Sequence, residues 1–482
     1  MPALGIAFTS FFLSAQDKWP DSVKVKSPSV VHENTSPDSS TAVNYMKVKE
    51  IIITGNKVTK KHVILREIPF HAGDTIGKSM IQEKLKAAKE NLLNTSLFNF
   101  VSVDSLPAGN NQVTILVNVA ERWYTWPVPI FEVQERNFND WWERKDFARA
   151  NYGFYLNRDN FRGRKEALSF YAQFGYTVKY GIAYDIPYLT HKQTGGLGFS
   201  FAYGHNHEIA YGTLDNHQLY FKNPDDYVRK EWVGKLKYFY RKGIHNSHYF
   251  ETKFVSSLVN DAVRTITVDY FDNKKTEINF FALDYSFRTD FRDSRQYPLQ
   301  GYFFEFEYNQ LGLGILKDEK IDVTNFYFTL RGYEKLSNRF YLSGGAKAKL
   351  SPNLNQPYYV QKGLGWSDYI RGYEYYVIDG QRYGLVKAGL KYEIVKPHVK
   401  TIPLPLNKFN TFHYAFYANI YGDAGYADDH MYAGANPLAN TFLYGYGVGI
   451  DYVTYYDIIL RLECSVNKMK EIGFFVHFNA GI

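Results

Sequence analysis

From Trp123 to Ile482 the chain alternates apolar and polar residues almost without a break, and this period of two constrains its fold more than any other feature. Val178, Tyr180, Ile182, Tyr184 and Ile186 alternate with Thr177, Lys179, Gly181, Ala183 and Asp185. Tyr302, Phe304, Phe306 and Tyr308 alternate with Phe303, Glu305, Glu307 and Asn309. Successive side chains of a strand point to opposite faces, so such segments show one face to hydrocarbon and the other to water. Composition agrees: 42 Tyr, 37 Phe and 7 Trp make the 482-residue chain 18% aromatic, yet mean hydropathy is only −0.37. Strands that meet lipid at every second residue give that combination, and no run of about 18 apolar residues marks a transmembrane helix. The fold class expected is mainly β, an antiparallel transmembrane β-barrel of about sixteen strands. A large soluble β-protein, such as a sandwich array or propeller, is the competing reading.

Strand starts fall near residues 126, 147, 166, 177, 196, 232, 248, 278, 301, 322, 338, 381, 411, 443, 457 and 473. An even count leaves both barrel ends on one side, here the periplasmic side that carries the N-terminal segment. Segments 205–231, 259–276, 351–380 and 425–442 then become extracellular, and Asp293 to Gly301 becomes a periplasmic turn.

Residues 1–15 read as a secretory signal peptide, with an apolar stretch from Ala3 to Leu13. Residues 16–46 read as a flexible linker rich in Ser, Pro, Asp, Lys and Val. Residues 47–122 read as a small α+β unit in the order β-α-α-β-β, followed by the barrel at 123–482. In the unit, Thr59 and Ser79 are the expected helix caps, and Ile81, Leu85, Ala88, Leu92 and Leu93 share one helix face. The net charge of +7 is a small excess with no basic run, so nucleic acid is not expected as a partner. The single cysteine, Cys464, precludes an intramolecular disulfide and shares register with Leu460, Leu462 and Val466, the lipid-facing side.

Two motifs stand out in the barrel segment: Ile370-Arg371-Gly372-Tyr373 in the long 351–380 loop, and Tyr421-Gly422-Asp423-Ala424-Gly425 on the polar side of a strand. With Asp293-Ser294-Arg295, Pro298 and Gly301, and with Asn160-Phe161-Arg162-Gly163, they resemble the BamA/TamA-type superfamily of outer-membrane insertases and translocases. That superfamily includes the two-partner-secretion transporters. The unit at 47–122 resembles its POTRA domain through Ile53-Thr54-Gly55-Asn56, Leu65-Arg66-Glu67-Ile68, Gly73-Asp74 and Leu97-Phe98. The resemblance implies that the loop folds into the lumen and that Arg371 pairs with Asp423. It also implies a periplasmic module that meets unfolded client chains, with periplasmic or lipoprotein subunits as further candidate partners. Outer-membrane lipids surround the barrel.

Glu471, Gly473, Val476 and Phe478 fit the β-signal by which barrels are recognised for insertion, though the usual terminal aromatic is missing. Pro127 and Pro129 remove two backbone donors from the first strand, which predicts a weak seam between the first and last strands. The sequence shows no P-loop, metal cluster or nucleophile constellation, so neither an enzyme nor a cofactor or metal site is expected. His205, His207 and His217 fall on an expected surface loop and read as loop polarity. Three functions remain open: an insertase, a translocator dedicated to one exported client, and a passive barrel.

Overall fold

The computed structural model describes residues 45–133, 150–403, 409–454 and 458–478, apart from 268, 272, 318 and 320. The expected signal peptide and nearly all of the expected linker lie outside the described residues.

The N-terminal domain runs β1 (Tyr45–Thr54), α1 (Lys61–Leu65), β2 (Thr75–Gly77), α2 (Ile81–Leu93), β3 (Phe98–Pro107) and β4 (Gln112–Glu121). Its sheet has the order β2-β1-β4-β3, with β1 and β4 parallel. Helix α2 buries Ile81, Leu85, Ala88 and Leu92, one stripe at helical spacing, in a core shared with Val113, Ile115, Val117 and Val119 of β4. Two details differ from the sequence expectation. The three-residue β2, too short to show a period, pairs with β1 after the Gly73-Asp74 turn. Neither Thr59 nor Ser79 caps a helix: Lys60 and Met80 stand at the caps, without a side-chain cap bond. Thr59 is instead drawn into a tertiary contact, its N–H donating to Glu121 Oε1 at 2.6 Å.

The barrel begins with β5 (Thr125–Val133), β6 (Ala150–Phe161), β7 (Glu166–Gly175), β8 (Thr177–Ile186) and β9 (Gly195–Asn206). A hairpin of β10 (Glu208–Leu214) and β11 (His217–Lys222) follows. The barrel resumes with β12 (Arg229–Tyr240), β13 (Asn246–Val259), β14 (Glu277–Asp290), β15 (Gly301–Leu311), β16 (Val323–Lys335) and β17 (Phe340–Leu350). It ends with β18 (Arg382–Thr401), β19 (Thr411–Asp428), β20 (Leu443–Thr454), β21 (Ile459–Asn467) and β22 (Ile472–Phe478). Sixteen of these strands form one antiparallel sheet from β22 to β5, and none starts more than three residues from its expected position. Among the described residues no ladder joins β5 to β22. The two faces separate as alternation requires: on β20, Tyr444, Tyr446, Val448 and Ile450 are exposed outward while Gly445, Gly447, Gly449 and Asp451 face inward. Among the described residues no helix is long and apolar enough to cross a membrane.

The N-terminal domain is docked against the hairpin turns at one end of the barrel. Arg66 donates to the carbonyls of Gln193 at 3.2 Å, Arg241 at 2.7 Å and Gly243 at 2.8 Å. Glu67 accepts from Arg241 Nη1 at 2.9 Å and from Tyr188 Oη at 3.0 Å. Asn94 donates to the carbonyl of Asp293 at 3.2 Å and accepts from the N–H of Arg295 at 2.9 Å. Burial by itself pushes the Glu67 carboxyl up, but Arg241, the Lys165 ammonium and the two hydrogen-bond donors outweigh it and hold the pKa at about 2.

At the opposite end the 205–231 segment, expected as a loop, extends β9 to Asn206 and then forms the β10–β11 hairpin. Asp215 and Asn216 turn it with φ of 50° and 60°. The buried Asn216 knits three segments together: its N–H donates to Asn436 Oδ1 at 2.9 Å, its Nδ2 to the Val377 carbonyl at 3.1 Å, and its Oδ1 accepts from Leu438 N–H at 2.9 Å. The hairpin thereby caps the 351–380 loop.

Candidate functional site

Strand β20 reads Tyr444-Gly445-Tyr446-Gly447-Val448-Gly449, with every glycine facing the lumen. Gly445, at one end of this stripe, is a berth for the loop. A Cβ on Gly445 would sit 1.9 Å from the carbonyl oxygen of Arg371, whereas one on Gly447 would meet the neighbouring strands, 2.2 Å from the Cys464 carbonyl oxygen and 2.6 Å from Tyr421 Oη. A Cβ on Gly425 of β19 would meet Ile370 Cδ1 at 2.9 Å. The loop therefore lies directly on the backbone of the wall.

Arg371 is fixed there by a forked pair. Its Nε donates to Asp423 Oδ2 at 2.9 Å and its Nη2 to Oδ1 at 2.6 Å. Its backbone N–H donates to the same carboxylate at 3.1 Å. Nη1 reaches Glu463 Oε1 at 3.5 Å, and the guanidinium stacks 3.8 Å over the Tyr421 ring. Both side chains of the pair are nearly inaccessible, 6% and 0% exposed. Such burial is favourable only where every polar atom is matched, and the planar fork of Arg provides that match to a carboxylate. Gly372, with φ of 94°, adopts a backbone that favours glycine and turns the chain back, while Asn467 Nδ2 donates to its carbonyl at 3.1 Å. Tyr373 and Ile370 are 1% exposed, and Tyr373 Oη donates to the Tyr444 carbonyl at 3.3 Å.

A second forked pair lies nearer the docked domain: Arg461 Nε to Asp451 Oδ1 at 2.6 Å and Nη2 to Oδ2 at 2.9 Å. Tyr297, from the Asp293–Gly301 turn, folds inward to donate to Asp451 Oδ2 at 2.7 Å. Sequence reasoning missed Asp451, Arg461, Glu463, Glu374 and His477. The signal available was the pair of charges on the inward register of β21, flanked by Leu460 and Leu462, and the glycine stripe of β20.

The other singled-out residues are distributed around this site. Glu471 accepts from Tyr376 Oη at 2.9 Å, so it also holds the loop. On β22, Gly473 shares the inward register of Phe475, while Val476 pairs with Leu462 and Phe478 with Leu460 on the outward face. Pro127 and Pro129 lie on β5 at the far end of the sheet, both exposed. The β5–β6 ladder is continuous through both prolines, which puts their missing donors on the edge away from β6. Cys464 lies outward with Leu462 and Val466.

The fold and its lumen define a class: a sixteen-stranded barrel with a loop seated inside it, carrying a docked POTRA domain. Residues 46–122 match the POTRA family, described as a surface antigen variable number repeat. A search of curated proteins by sequence finds no match. Among solved structures, BamA from Haemophilus ducreyi lacking POTRA domains 1-3 is similar at TM-score 0.50 and 14% identity, over 90% of this chain and 84% of that one. CdiB from Escherichia coli is similar at TM-score 0.51 and 12% identity, over 90% of this chain and 75% of that one. The fold is that of a BamA/TamA-type barrel preceded by a POTRA domain.

Proposed function

We propose that the protein is an outer-membrane assembly factor that inserts or translocates polypeptides by strand pairing at a seam between β5 and β22. The POTRA domain stands in the periplasm and receives unfolded client chains, and subunits that dock on it are further partners. The barrel domain at 123–482 is surrounded by lipid, and the work needs no nucleotide hydrolysis. The observation that carries this reading is the Arg371–Asp423 clamp, which seats the loop on β19 and β20, close to the last strand of the sheet. A loop locked in the lumen and capped by a hairpin disfavours a passive pore. It leaves the sheet ends as the place for action, and the edge prolines leave β5 with fewer donors to close the ring. An incoming β-hairpin offers the hydrogen bonds such an edge lacks.

A dedicated translocator is the second reading, favoured by the likeness in fold to CdiB. Quantitative proteomics of the outer membrane and medium after depletion separates the two. A broad fall in β-barrels marks an insertase, and loss of one or a few surface or secreted proteins marks a dedicated factor. An unchanged proteome would overturn both.

A further inference from the structure

The lumen contains a second constellation that the Arg371 clamp does not use. Glu374 of the loop, Glu463 of β21 and His477 of β22 bring one donor atom each within 4.8 Å of one another. His477 Nε2 lies 3.2 Å from Glu463 Oε2 and 3.6 Å from Glu374 Oε1. Neither His477 Nε2 nor Glu463 Oε2 makes a hydrogen bond among the described residues, although the Glu463 side chain is only 1% exposed. Atoms that approach so closely without hydrogen-bond geometry have the separations of ligands around one cation. Metal–ligand distances of about 2.0–2.2 Å put neighbouring donors roughly 3.0–3.5 Å apart.

The surroundings fit as well. Arg371 and Arg461 both address Glu463 through Oε1, at 3.5 and 3.8 Å, leaving Oε2 turned to His477. Each guanidinium is matched by its own aspartate, Asp423 or Asp451. Glu374 and Glu463 both face His477, and the Lys387 ammonium stands 3.8 Å from Asp423. Glu374 is positioned by the Gly372 N–H on Oε2 at 2.8 Å, with Oε1 turned towards the imidazole. On its other side, His477 Nδ1 lies 3.4 Å from Tyr369 Oη, and where Nδ1–H donates to that hydroxyl, Nε2 is left to ligate. We propose that Glu374, Glu463 and His477 form a binding site for a divalent transition metal of zinc-type chemistry. One imidazole and two carboxylates suit such an ion. The bound ion ties the lumen loop, β21 and the last strand to one point.

The test uses the full chain in detergent, stripped with a chelator and titrated with Co²⁺ as a visible probe and with Zn²⁺. One Co²⁺ per chain is expected, with affinity at least tenfold weaker in Glu463→Gln and in His477→Gln. Tyr369→Phe should weaken it by about tenfold, the effect of losing an outer-shell partner. Heat-modifiable mobility verifies that each variant forms the barrel. Should one fail to fold, diethyl pyrocarbonate labelling of the wild type decides: Zn²⁺ should protect His477, read by mass spectrometry. Absence of stoichiometric binding in the wild type, equal binding in the folded variants, or labelling of His477 unaffected by Zn²⁺ would each overturn the site. The trio is then a protonated imidazole bridging two carboxylates.

Discussion

Arg371 shows what a single residue does in this lumen. Its fork satisfies Asp423, its face covers Tyr421, and its own carbonyl lies against Gly445. Arg371→Ala leaves the buried Asp423 carboxylate with only the backbone N–H of residue 371 and the more distant Lys387 ammonium, a loss of about 3 kcal/mol for removing one partner of a buried pair. Urea unfolding in detergent, followed by tryptophan fluorescence, should show that loss. Arg371→Lys should recover only part of it, because an ammonium offers neither the fork nor the flat face. A wild-type unfolding midpoint in the alanine variant would refute the clamp. Arg371 and Asp423 were legible in sequence because each sits inside a motif. Glu463, Arg461 and His477 were not. On the polar side of a barrel strand, charges that meet across the lumen look like charges that meet water, and only the assembled sheet brings β21 and β22 against the loop.

At the scale of elements, the berth on β20 makes a sharp prediction. Gly445→Val puts side-chain atoms where the loop backbone passes, since even a Cβ would come within 1.9 Å of Arg371. The barrel should still form, because its ladder is untouched, but the loop should become sensitive to added protease. Strand positions were legible throughout the barrel because each strand repeats the same two-residue pattern over seven residues or more. The β10–β11 hairpin was not: β11 is only 6 residues long, an irregularity between Ala210 and Gly212 breaks the register of β10, and the turn is Asp215-Asn216, a weaker signal than a glycine-containing turn. The three-residue β2 escaped through its shortness. For the first barrel strand, Pro127→Thr with Pro129→Val restores two donors at the edge. The variant should resist thermal unfolding better than wild type and complement a depletion strain less well. Unchanged stability and function would remove the prolines from the mechanism.

For the molecule as a whole, the docked POTRA domain responds to pH through Glu67. Its pKa is held at about 2, below the ordinary value of 4.5, so docking favours the charged carboxylate. That contribution, about 3 kcal/mol for such a shift, is fully present above pH 4.5 and is lost as pH falls towards 2. Glu67→Gln should mimic the acid state at neutral pH, read as faster cross-linking or proteolysis between the domain and the turns that hold it. Docking that is equally tight in the variant would exclude this ion pair as its anchor. The motif Leu65-Arg66-Glu67-Ile68 was legible as a mark of the domain, but its contacts with Gln193, Arg241 and Gly243 were not, since those residues lie more than 120 positions away.

The position of the lumen loop along the chain also imposes an order of events. Arg371 meets Asp423 52 residues later and Glu463 92 residues later, so the surface that receives the loop is made from a part of the chain that follows it in sequence. Long separations of this kind delay contact formation, because the intervening chain must be ordered first. A nascent or partly inserted barrel therefore has an open lumen, and the loop closes it only when β19 to β21 have joined the sheet. Seating of the loop thus follows the assembly of β19 to β21, because the residues that hold it are supplied by those strands.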